Sequence, residues 1–110
     1  MSALPIVVVH RGNQRYLWDC LNSAERAGNT IYLIGDESNK KFHNWISYKD
    51  CESEELEEFR KAYIHLSTNT YKYELICFER FFYTLSLMKS NNNKACLMSD
   101  SDNLIVNIFD

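Results

Sequence analysis

A chain of 110 residues, 45% hydrophobic and 14% aromatic, can bury one packed core and is too apolar to stay disordered. Its net charge of −3, with acids and bases interspersed, argues against a partner such as duplex nucleic acid, which needs a basic face to neutralise phosphates. No apolar run approaches the roughly 20 residues of a membrane-spanning helix.

The opening "MSALPIVVVH" has no basic residue ahead of its apolar tract and no small-residue cleavage site. It is predicted to be a first strand, Ile6–Val9, and not a signal peptide. A continuous β-branched run of this kind suits a strand buried on both faces. In "HRGN", Gly12 permits a sharp turn and Asn13 is the expected N-cap of a helix. Leu17, Cys20, Leu21, Ala24 and Ala27 then keep a helical apolar stripe, which Gly28 should end. A second strand is expected over Thr30–Ile34, stopped by Gly35 and Asp36. Strand, helix and strand in thirty residues make a βαβ unit.

"ESNKKFHNWISYKD" is polar and unperiodic apart from a short strand at Trp45–Tyr48. An acidic helix should begin near Ser53, with Leu56, Phe59, Ala62 and Tyr63 inward. "HLSTN" reads as a loop. A longer helix, about Tyr73–Lys89, is predicted to turn Leu75, Phe78, Phe82, Leu85 and Met88 inward, and "SNNNK" ends it. Ala95–Met98 reads as a last buried strand. Cys20, Cys51, Cys77 and Cys96 form no C-x-x-C pair, so they read as reduced structural thiols of a cytoplasmic protein and not as a zinc site.

Alternating strands and helices imply one α/β domain, residues 1–110, with a parallel sheet flanked by helices. Ligands of such sheets lie beyond the carboxyl ends of the strands. "HRGN", "GDESN" and "SDSDN" are therefore expected to converge on one edge. In the last of these, Asp100 and Asp102 share a side of an extended segment while Ser101 points away. Two carboxylates so close repel, and a hard cation such as Mn²⁺ or Mg²⁺ would offset that. A solvated turn capping the strand is the plain alternative. A calcium loop is ruled out by Leu104 and by the lack of a following glycine. A haloacid-dehalogenase phosphatase also carries D-x-D, but on its first strand.

The strand running into "DSD" and "LIV", the preceding "ELICFERFF", and "VVVHRGNQRYLWDCLNSAERAGN" and "YLIGDESN" resemble, in order and spacing, the nucleotide-binding half of GT-A glycosyltransferases. The resemblance implies a Rossmann-like fold. It also implies transfer of a sugar from a nucleotide diphosphate, a UDP-sugar in the first place, to a hydroxyl acceptor. Asp102 would be the direct metal ligand, with Asp100 beside it contacting ribose or sugar and Ser101 between them. Arg80 would reach the nucleotide-sugar or the first acid. His10, Arg11 and Gly12 would lie near base and ribose, and Asp36 near uracil or ribose.

GT-A domains continue past this strand into the acceptor site, so the chain is expected to be incomplete relative to one, with its catalytic base elsewhere. An uncovered strand around Leu104–Phe109 would favour association with another copy. A non-catalytic nucleotide-binding half-domain is the alternative in a different functional class. His65 and the aromatics Phe78, Phe81, Phe82 and Tyr83 read as structural.

Overall fold

The computed structural model describes residues 4–63 and 71–101, with 71–74 described by backbone alone. The "HLSTN" loop with His65, the acid Asp102 and the run Leu104–Phe109 lie outside the described residues. Elements follow in the order β1 (Ile6–Val9), α1 (Arg15–Arg26), β2 (Ile31–Gly35), β3 (Trp45–Ser47), α2 (Glu54–Ala62), α3 (Tyr71–Asn91) and β4 (Leu97–Met98). Short 3-10 turns at Glu37–Asn39 and Tyr48–Cys51 flank β3.

All pairings are parallel and the strand order is β3-β2-β1-β4. The chain steps outward from β1 through β2 to β3, then returns across the sheet to place β4 on the other side of β1. Ile6 aligns with Ile31 on one side and Leu97 on the other. The architecture is a Rossmann-like α/β fold, with helices covering a wholly parallel four-stranded sheet.

Alternation along β1 divides the interior into two cores. Ile6 and Val8 face α1 and pack with Leu17, Cys20, Leu21, Ala24, Ile31, Leu33 and Phe42. Val7 faces the opposite way and packs with Ile34, Cys51, Leu56, Tyr83 and Leu87. The α1 stripe is as the apolar spacing predicts, and α1 stops before Gly28, whose φ is +86°. Asn13 is not the cap. Gln14 occupies that position without a side-chain cap bond, because Asn13 Oδ1 accepts from Trp18 Nε1 at 2.6 Å. Ser53 does cap α2, its hydroxyl accepting from Leu56 N.

Three expectations are corrected. The inner side of α3 is Glu79, Tyr83, Thr84 and Leu87, while Phe78 and Leu85 are exposed. The helix is apolar nearly all round, so hydrophobicity does not choose its face. An ion pair from Arg60 to Glu79, 2.6 Å, lets a carboxylate sit inside instead. On α2, Leu56 is buried but Ala62 is exposed. The last strand is shorter than Ala95–Met98 and is not buried, for Leu97 and Met98 are each 38% exposed at the sheet's edge.

Candidate functional site

The winding reverses between β1 and β4, and loops leaving adjacent strands there diverge to opposite faces, opening a crevice at the carboxyl edge. A cleft of about 520 Å³ lies at that point. The end of β1 contributes Val9, His10 and Arg11, and the segment after β4 contributes Asp100 and Ser101. The helices add Tyr16 from α1 and Ile76, Cys77, Arg80 and Tyr83 from α3.

His10 ties the two strand ends together. Its Nδ1 lies 2.8 Å from Ser101 Oγ and its Nε2 2.6 Å from Gln14 Oε1. An amide oxygen can only accept, so Nε2 carries the hydrogen of that bond, while the Ser101 hydroxyl can serve Nδ1 as donor or acceptor. Tyr16 meets the imidazole edge-on at 5.6 Å. Below, the Asp100 carbonyl lies 3.8 Å from the Cys20 thiol.

Arg80 Nη1 reaches Asp100 Oδ1 at 3.1 Å. Its Nε is buried with no hydrogen-bond partner among the described residues. Asp100 itself is open, its side chain 66% exposed. Arg11 extends along the other wall, with its guanidinium carbon 4.2 Å over the Tyr48 ring and Nη2 3.4 Å from the Tyr83 hydroxyl. Tyr83 is buried, and its phenol is pushed up to about 12 by burial first, then by Glu79 and Glu52. Arg60 bonds Glu52, Glu57 and Glu79 behind it. The Arg60 guanidinium chiefly, opposed by some burial, holds Glu52 below the usual carboxylate range, and a bond from Tyr83 contributes further.

Gly12 and Asp36 meet one loop away. Gly12, at φ +103°, is in the left-handed region and gives its N–H to Asp36 Oδ2 at 2.9 Å. The other oxygen, Oδ1, accepts from the Ser38 amide and hydroxyl. The Ser38 hydroxyl chiefly, against some burial, then the Ser38 and Gly12 amides and nearby His10, keep Asp36 below the usual carboxylate range. Asn39 completes the join by accepting from Asp36 N and donating to the Gly12 carbonyl. A Cβ on Gly35 would collide with the Asn39 side chain, which explains glycine there. Asp36 faces a separate shallow recess with Ser38, Ser47, Tyr48 and Lys49.

The structure therefore gathers His10, Arg11, Arg80, Asp100 and Ser101 around one cleft and sets Gly12 and Asp36 to binding each other beside it. Tyr16, Cys77 and Tyr83 also line the cleft and were not anticipated as site residues. Ile76, Cys77, Arg80 and Tyr83 sit at helical spacing on one side of α3, so Arg80 was the signal that could have found them. None of the four cysteines is in a disulfide, and burial pushes Cys51 up to about 11, which makes it inert.

A two-thirds exposed carboxylate at the cleft mouth is a suitable hard donor for Mn²⁺ or Mg²⁺. Among the described residues no three His, Cys, Asp or Glu side chains gather into a cation site. Asp100 would need its neighbouring acid, Asp102.

No protein-family model, curated protein or solved structure matches the chain. Its chemistry is to be argued from the cleft.

Proposed function

We propose that this chain is the nucleotide-sugar-binding part of a glycosyltransferase of the GT-A kind, taking a UDP-sugar in the β1–β4 cleft for transfer to a hydroxyl acceptor. The observation that carries the reading is the Arg80–Asp100 pair at the point where the sheet's winding reverses. Open α/β sheets bind ligands there, and a volume near 520 Å³ is in the range of small-molecule sites. The likeness of "DSD" and its flanking segments to GT-A sequences supports the same ligand.

In this reading the cleft's cations meet the donor's diphosphate. Arg80 offsets the charge of Asp100 when the cleft is empty, so the acid is held in place without being buried. His10 and Ser101 keep the two strand ends at a constant separation. Asp100 and Asp102 would hold Mn²⁺ or Mg²⁺, which when bound supplies Lewis-acid stabilisation of the departing diphosphate.

Calorimetric titration with UDP and Mn²⁺ tests the proposal. Binding is expected, weakened about tenfold or more by Asp102→Ala or Asp100→Ala, a change of at least about 1.4 kcal/mol. Neither heat nor a thermal shift with UDP and Mn²⁺ would overturn it. Binding without donor hydrolysis or transfer would reduce it to a nucleotide-binding module.

A further inference from the structure

Among the described residues, two guanidinium groups, Arg11 and Arg80, line the cleft with one carboxylate, Asp100. Arg80 is engaged by that carboxylate. Arg11 has no carboxylate within ion-pair distance among the described residues. It is nevertheless held in place. The Tyr48 ring lies under its flat face at 4.2 Å, and the Tyr83 hydroxyl receives its Nη2 at 3.4 Å.

That hydroxyl is itself committed. Tyr83 is 2% exposed, and its oxygen also receives Arg60 Nη2 at 3.4 Å. Arg60 in turn grips Glu52 at 2.5 Å and 3.1 Å. An arginine oriented by neutral groups keeps its charge and most of its five donors for something else. In a chain of net charge −3, such a group is matched to an anion of the ligand.

We propose that Arg11 is the phosphate-holding group of the cleft, with Tyr48 and Tyr83 as its positioning residues. Its partner is the diphosphate of the donor and not, as the resemblance implied, the base or ribose. The identity of that ligand rests on the nucleotide-sugar reading; the anionic character of the subsite does not. Orientation before binding lowers the side-chain entropy lost on association, so Tyr83 adds affinity without touching the ligand.

The test titrates the chain with three probes: UDP, inorganic pyrophosphate and uridine. Arg11 is exposed, so Arg11→Gln leaves the fold intact. It should weaken UDP and pyrophosphate about tenfold or more, the cost of a charge-assisted hydrogen bond, and leave uridine unchanged. Arg11→Lys should restore only part, because an ammonium does not lie flat on Tyr48 or bind a phosphate bidentately. Tyr83→Phe keeps the buried ring and removes the hydroxyl. It should weaken the two anions about threefold and spare uridine, which a purely structural role would not do.

UDP bound equally well by Arg11→Gln overturns the proposal and leaves the nucleotide reading standing. Pyrophosphate bound through Arg11, with UDP no tighter, upholds the proposal and ends the nucleotide reading. Neither probe binding ends both.

Discussion

On the side of the sheet covered by α1, the interior is apolar: Leu17, Cys20, Leu21 and Ala24 close against Ile6, Val8, Ile31 and Leu33. On the opposite side the packing is interrupted by charge. Glu79 is buried on Arg60, Arg60 holds two further acids, and Tyr83 passes the network forward to Arg11 at the cleft. Apolar packing is non-directional, whereas a guanidinium between carboxylates has one arrangement. The first side supplies cohesion and the second aims side chains.

Removing cohesion should cost most. Leu17→Ala empties a fully buried position and should lower stability by about 3–4 kcal/mol in denaturant unfolding, with ligand affinity unchanged under folding conditions. On the other side, Arg60→Met should cost about 3 kcal/mol, because Glu79 is then left buried without its counter-charge. Adding Glu79→Leu should recover much of that, and the pair of midpoints checks it. Only this second lesion should also loosen the anion subsite.

Alkaline titration sharpens the contrast further. Tyr83 holds its proton to about 12 in the folded chain against an ordinary value of 10.0, so the folded state binds the proton more tightly. Its contribution is complete below pH 10 and is lost as pH rises toward 12, by about 2 kcal/mol. Tyr83→Phe should flatten that part of the stability profile. Ser53→Ala removes the α2 cap and should cost about 1 kcal/mol by thermal melting. The smallest effect belongs to Asp36, whose carboxyl lies below its ordinary 3.8. That contribution is present above pH 3.8 and fades as pH falls through the lower folded value, so Asp36→Asn should flatten the acid limb.

Sequence reading succeeded where one local rule was enough. β-branched residues at Ile6–Val9, the stripe from Leu17 to Ala24, the glycine stop after α1 and the start of α2 near Ser53 each follow from a few neighbouring residues. So does the meeting of the loops after β1 and β2, which follows from the parallel sheet. It missed the inner side of α3, because Phe78 and Leu85 are as apolar as a core position requires and the deciding partner, Arg60, lies on another helix. Tyr83 was read only as structural for the same reason, since its role depends on Arg11, which lies 72 residues away. The last strand was over-read because four apolar residues describe a buried strand and an edge equally well.

The brevity of β4 has a kinetic consequence. Only two of its residues pair with β1, and bonds from Leu97 N to Pro5 O at 2.9 Å and from Ser99 N to Val7 O at 3.1 Å bracket that pairing. So light a seam opens more readily than the five-residue ladder of β2, and its amides should exchange with deuterium long before those of Val8 or Leu33. A molecule bridging Arg11 and Asp100 would span that seam, and slowed exchange at Ser99 would register its arrival from the far side of the wall.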